Sequence, residues 1–461
     1  MKVLLVVLLG CRTKGAVEAA APPSLAPADE LRAFAGFVLD THPEPFRFVD
    51  PEAFEAVVAE EATALESVDA PDQFEVGRAF QRVIATLGDV HVQVALPVYQ
   101  PDATLERSLF PLVPQWDEGR VMVDGGPLDW PVGTELLSID GMPAPALWEE
   151  LAAMVSADGR RADAQRAALE HDFAKYLHLR IGMRPTYPVV ARLPDGTSVD
   201  VALDGMTAEA YRTMRVERAG HPPDPRWPHL SRPEPGVAWL QLPSFGNPDA
   251  EAYTDRVDGL LDALDSVDTL VIDVRGNLGG IRTHGVAVLN RVLSEPYTQW
   301  RAFASRVPSI APAHRPFVEF LYADERVLER AYPGVEGDPL AERMQPPGPG
   351  FEGDVVLFAD ERTNSAANEL ALALVRHRPD TLFVGREIGG DCDRHNGEVP
   401  VLYRTSNTGL VVLMSLFSVR HVEVEGCVPG RGLMPDVIVP RETKAEEPYW
   451  TAYREHRRPN P

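Results

Sequence analysis

Residues 361–374 read ERTNSAANELALAL and set one small hydroxyl residue, Ser365, at the mouth of an alanine- and leucine-rich segment. A strand-like run from Val355 to Phe358, a short turn and a helix carrying Ala366, Ala367, Leu370, Ala371 and Leu374 place that hydroxyl at a helix N terminus. There it can cap the helix, a contribution of about 0.5–2 kcal/mol. Thr363 and Asn364 could cap equally well, and the two alanines after Ser365 leave an uncrowded position. The Ala366 N–H and the positive end of the helix dipole lie beside it, which suits a nucleophile whose attack creates an oxyanion.

Residues 270–280, LVIDVRGNLGG, form a buried-strand pattern ending in Gly279-Gly280 ahead of a helical pattern. Paired glycines let main-chain N–H groups approach a ligand closely, as an oxyanion hole requires, and they serve equally in a ligand-free turn. A serine also needs a base. TLGDVHVQV, residues 86–94, offers His91 with Asp89 two positions earlier, and His395, His284 and His421 are rival imidazoles. A lone histidine among apolar residues fits a structural role as well as a catalytic one. Glu387, in FVGREIGGDCDRHNGE, supplies a carboxylate that could orient the base or simply be solvated.

Other chemistries lack their spacing. Gly348, Gly350 and Gly353 match G-x-G-x-x-G, but the run contains a proline and precedes a strand, whereas a dinucleotide fingerprint follows a strand and opens a helix. No G-x-S-x-G, H-E-x-x-H or Walker A sequence occurs. A formal charge of −25 repels a phosphate backbone, so no nucleic-acid partner is expected.

The elements that must position these residues follow in order. MKVLLVVLLGC is a short export-type leader ending in LLGC, which resembles a bacterial lipoprotein lipidation site at Cys11 and implies a lipid anchor in the cell envelope, facing the periplasm. Residues 1–27 are read as this leader and a Pro-rich tether. Residues 28–105 show helical periodicity, with apolar residues recurring at three- and four-residue intervals. Residues 106–206 change to short alternating runs with a hairpin signal at Asp195-Gly196 and one long helical insertion. The stretch PVGTELLSIDGMPAPALWEEL looks like the core of a PDZ domain. After a Pro-rich linker, residues 232–442 alternate strand and helix at βαβ lengths, which predicts an α/β domain with a largely parallel sheet. Cys392 and Cys427 could form one disulfide in an oxidising compartment or remain two buried thiols.

Taken in order, LGDVHVQV, GTELLSIDG, VIDVRGNLGG, TNSAANELA, VGREIGG and PGRGLMPDVIVP resemble the tail-specific, or carboxyl-terminal processing, serine peptidase family. The resemblance implies a crotonase/ClpP-like core, with the nucleophile on Ser365 and oxyanion donors at Gly279, Gly280 and Ala366. The processing-peptidase branch uses a lysine some two dozen residues after the serine. Here no lysine occurs between Lys175 and Lys444, so a Ser-Lys dyad is not expected. The pattern is closer to the tricorn branch, which places the base on His91 and its supporting carboxylate on Glu387; Asp89 enters by spacing alone.

The expected activity is hydrolysis of peptide bonds in peptides or unfolded proteins, near their carboxyl termini, through an acyl-enzyme, with no metal and no organic cofactor. The alternatives are a non-catalytic protein binding peptide or apolar ligand on the same fold, and a structural envelope lipoprotein. Neither the substrate nor the oligomeric state is legible.

Overall fold

The computed structural model describes residues 24–96, 108–218, 224–264, 266–321, 323–331, 343–441 and 447–457. The leader, Cys11 and most of the tether lie outside these residues. Among the described residues no helix is long and apolar enough to cross a membrane.

Three helices open the chain, Pro27–Thr41, Pro51–Glu66 and Gln73–Thr86. Prolines sit in the first turn of the first two, where a missing N–H costs nothing. Asp72 caps the third through the N–H groups of Phe74 and Glu75, and Glu75 reaches back to the Asp72 N–H at 2.9 Å. Their apolar faces bury Leu31, Phe34, Phe37, Phe54, Phe80, Val83 and Ile84. Burying each such side chain contributes about 1.5–3 kcal/mol.

The middle of the chain forms a sheet of six antiparallel strands, in the order Val113–Asp117, Arg120–Gly125, Glu135–Ile139, Thr186–Arg192, Ser198–Asp204, with Met142–Pro143 paired beside Glu135–Ile139. The expected hairpin closes with Arg192 opposite Ser198, Gly196 at φ +87°, and the Thr197 N–H on Asp195 Oδ1 at 2.8 Å. The inserted helices are Ala144–Ala152 and Ala162–Ile181. Phe110, Trp148, Leu169 and Phe173 join the cluster containing Phe80 and Ile84, so the helical region and the β-rich region share one core.

The C-terminal half carries the α/β sheet, in the order Val437–Ile438, Leu382–Gly385, Asp354–Ala359, Thr269–Asp273, Val237–Gln241, His229–Glu234. The first five strands run parallel and only His229–Glu234 is antiparallel. Alternation along the strands explains the two covered faces. Leu270, Ile272, Val355 and Leu357 point to the helices Ala250–Leu261, Arg282–Val292 and Ala366–His377. Val271, Val356 and Phe358 point to Tyr449, Trp450 and Tyr453 of the helix Glu447–Arg457.

A further sheet has no counterpart in the sequence reading. The long hairpin Arg394–Arg404 and Val411–His421 pairs with Gln93–Ala95, Trp300–Ser305 and Val318–Phe320. Through Gln93 opposite Leu413 it fastens the His91 loop of the N-terminal region to the C-terminal half.

Candidate active site

Ser365 precedes the helix Ala366–His377 with φ 51° and ψ −129°, a conformation L-residues rarely adopt. Its side chain makes no capping hydrogen bond, and its N–H donates to Asn364 Oδ1 at 2.7 Å. The capping reading therefore fails, and the hydroxyl is left for other work. Such outliers persist only where the surroundings over-determine them. Here Thr363 Oγ1 donates to the Val274 carbonyl at 2.9 Å, the Asn364 N–H to the Asn277 carbonyl at 3.0 Å, and the Gly276 N–H to Asp360 Oδ1 at 2.9 Å. Three bonds thus fix the serine turn to the glycine turn.

Gly279 abuts the nucleophile position: a Cβ there would stand 2.6 Å from Ser365 Cβ and 2.8 Å from the Ala366 nitrogen, with φ at +91°. Gly280, at φ +135°, would press a Cβ within 2.3 Å of the Phe245 carbonyl oxygen. The Gly279 N–H is already donated to Asn277 Oδ1 at 2.8 Å. Gly279 therefore contributes space, while the N–H groups of Gly280 and Ala366 carry no hydrogen bond among the described residues.

His91 lies in the loop between the third helix and the strand Gln93–Ala95, with its side chain 14% exposed. Asp89 Oδ1 accepts the His91 backbone N–H at 2.8 Å and lies 3.4 Å from His91 Nδ1. Asp89 Oδ2 accepts from His42 Nε2 and Asn396 Nδ2, both at 2.9 Å. Burial opposes the Asp89 charge, but His42 and His91 hold the carboxyl well below its ordinary range. Burial likewise pulls the His91 imidazole down, and Asp89, with Asp158 and Glu398, outweighs it and raises it. Neither His91 ring nitrogen has a hydrogen-bond partner, so the imidazole does not bond the serine hydroxyl in this conformation.

A second imidazole stacks on the first. His395 and His91 have ring centroids 5.0 Å apart at 25°, and His421 lies 5.0 Å beyond His395. His395 Nε2 bonds Glu369 Oε1 at 2.7 Å. Arg282 grips the same carboxylate with Nε on Oε2 at 2.6 Å and Nη2 on Oε1 at 2.7 Å, and it also pairs with Glu398 at 2.8 Å. Burial opposes the Glu369 charge, and Arg282 followed by His395 holds it well below its ordinary value.

Glu387 stands elsewhere than the resemblance implies. Its carboxylate is taken up by Arg161 at 2.7 Å, Arg431 at 2.6 and 2.9 Å and the Gly432 N–H at 2.8 Å. It joins the turn at 158–161 to the turn at 430–432 and does not bond an imidazole. The carboxylate beside His91 is Asp89. His284 is likewise engaged in packing, with Nε2 on the Asn247 carbonyl at 2.9 Å and its ring 3.8 Å from that of Tyr253. Cys392 and Cys427 are joined by a disulfide, Cα–Cα 5.7 Å, close to Gly389-Gly390.

Residues 236–439, the α/β sheet with its serine and glycine turns, match the model of peptidase family S41. That match covers the region carrying Ser365 and the glycine turn, and it supports a serine peptidase core. The structure of mature CPAF superposes with a TM-score of 0.62 at 15% identity, covering 94% of this chain and 95% of that one. Mature CPAF complexed with lactacystin gives 0.59 at 15%, covering 94% and 96%. A photosystem II D1 C-terminal processing protease gives 0.45 at 15%, covering 92% and 96%. No curated protein sequence matches the chain.

Two functional candidates were missed from sequence. Glu369 carried a signal, a lone carboxylate four residues after Ser365 on an otherwise apolar helix face, where an unpaired charge would not be tolerated. His42, at the end of the first helix, carried none, because its contact with Asp89 spans 47 residues.

Proposed function

We propose that this chain is a serine peptidase of the S41 kind, an exported endopeptidase that cleaves polypeptides near their carboxyl termini, with Ser365 as nucleophile and His91 as base. The observation that carries this is the Ser365 turn itself: a left-handed, uncapped serine seated on Gly279, beside the unbonded N–H groups of Gly280 and Ala366. Ser365 Oγ attacks the scissile carbonyl carbon while His91 Nε2 takes its proton, a step worth about 10²- to 10⁴-fold. The new C–O bond leaves the carbonyl oxygen negative between the Gly280 and Ala366 N–H groups, each contributing about 3–4 kcal/mol when aligned. His91 then returns the proton to the departing amine, and water repeats the sequence on the acyl-enzyme. Asp89 holds the imidazole and stabilises its cation, with His42 and Asn396 fixing Asp89 in turn. The hydrogen bond between His91 and Ser365 forms with substrate in place, as catalytic contacts in free enzymes commonly do.

The sheet over 113–204 is assigned as a PDZ-like module that adds an extended peptide as a further strand. Cys11 is assigned as the lipid anchor that holds the enzyme on the envelope. Hydrolysis of a quenched fluorescent peptide with a free or amidated C terminus tests the reading. Loss of turnover in Ser365→Ala and slower cleavage of the amide support it; full activity in Ser365→Ala overturns the nucleophile, and equal rates overturn the terminal preference.

A further inference from the structure

Behind the serine turn, Glu369, His395 and His421 arrive from three elements: the helix Ala366–His377 and the two strands of the hairpin Arg394–Arg404 and Val411–His421. Each offers one ligand atom within 4.8 Å of the others, and all three residues are buried. Three ring nitrogens there lack any hydrogen-bond partner, both nitrogens of His421 and Nδ1 of His395. A neutral imidazole always presents one donor and one acceptor. A wholly buried ring with neither satisfied is a rare arrangement in folded proteins, and an ion or a water is its usual explanation.

We propose that Glu369, His395 and His421 bind a transition-metal dication, zinc by preference. Two imidazoles and one carboxylate form a borderline-soft N/O set that suits zinc and its neighbours and not the oxygen-seeking calcium or magnesium. Arg282 touches Glu369 but is shared with Glu398, so two carboxyl groups share one guanidinium. The His395–Glu369 bond at 2.7 Å only has to open to the spacing that ligands keep around one ion. A small cavity lined in part by His42, Arg47, Asp89, Asp158, Arg394 and His395 reaches the site at His395.

A second set, Asp89, His91 and Asp158, also gathers within 4.8 Å. It is the weaker claimant. Its Asp89 and His91 already serve the proposed hydrolytic steps, and Asp158 Oδ1 accepts the Val90 N–H at 3.0 Å. Metal at the first set would tie the helix that bears Ser365 to the hairpin, a role separate from the hydrolytic steps and independent of them.

The test is cobalt(II) titration of the full chain after chelator treatment, followed by visible absorption, with zinc-edge X-ray absorption on the wild type. The expected result is about one equivalent of cobalt in a low-coordinate site, displaced by zinc, kept in Asp158→Asn and lost in His421→Gln that retains its circular dichroism. The zinc spectrum, which needs no variant to fold, should show two imidazoles. A featureless aquo-cobalt spectrum, a band lost in Asp158→Asn, or a single imidazole at zinc would overturn the assignment.

Discussion

Glu369 lies one helical turn beyond Ser365, donating its amide N–H to the Ser365 carbonyl at 2.9 Å while its carboxylate accepts from His395 Nε2 at 2.7 Å. The nucleophile's helix is thereby connected to the histidine stack through one buried charge. Removing that charge in Glu369→Ala leaves the Arg282 guanidinium with Glu398 alone, a loss of about 1–3 kcal/mol for the unmet hydrogen bonds. Urea unfolding should show the loss. Because the Glu369 carboxyl is depressed in the fold, its contribution is present above the unfolded carboxylate range and fades as pH falls through the folded value. A Glu369→Ala midpoint equal to wild type at neutral pH would contradict the linkage.

Gly279 is predicted to be required for seating the nucleophile. An added Cβ meets Ser365 Cβ at 2.6 Å on a backbone with φ +91°, so Gly279→Ala should displace the serine and lower kcat/KM by on the order of 10²-fold or more. Stability should fall by about 1–3 kcal/mol for the strained backbone alone. Wild-type kinetics in this variant would show that the glycine turn does not seat the nucleophile.

Ser365→Gly separates function from strain. It removes the hydroxyl and also relieves a side chain held at φ 51°, so activity should vanish while stability rises by about 1 kcal/mol. A thermal or urea midpoint lower than wild type would show that the serine side chain is a structural element after all.

The pH profile of kcat/KM should report His91. The imidazole must be neutral to accept a proton, and its pKa lies above the ordinary 6.5 because Asp89 and its acidic neighbours outweigh burial. The rising limb is therefore expected above that value, and Asp89→Asn should move it downward, whereas Glu387→Ala should leave it in place while weakening the Arg161–Arg431 junction. The linked stability runs the other way. A raised imidazole stabilises the fold fully below its unfolded pKa and loses that contribution as pH rises through the folded one. An inflection that shifts in Glu387→Ala and stays fixed in Asp89→Asn would return the orienting role to Glu387.

The α/β sheet was readable because its signals are local. The apolar run 270–272, the glycine pair and the amphipathic helix after Ser365 each announce an element within about a dozen residues. The hairpin Arg394–Arg404 and Val411–His421 was not, since its irregular register between His395 and Glu398 breaks the alternation a strand would show. The site divides the same way. Ser365, Gly279, Gly280 and Ala366 could be grouped from turn chemistry and Asp89 from its spacing to His91, while the anchoring of Asp89 by His42 and Asn396, 47 and 307 residues away, and the capture of Glu387 by Arg161 and Arg431 could not. Spacing does not encode such contacts, and tertiary packing alone makes them.

The most direct measurement of the central claim is mass-mapped labelling by a fluorophosphonate of wild type, Ser365→Ala and His91→Ala. The account predicts one adduct on wild type, mapped to Ser365, absent from Ser365→Ala and strongly slowed in His91→Ala. An adduct on another residue, or none on the folded wild-type protein, would contradict Ser365 as an activated nucleophile.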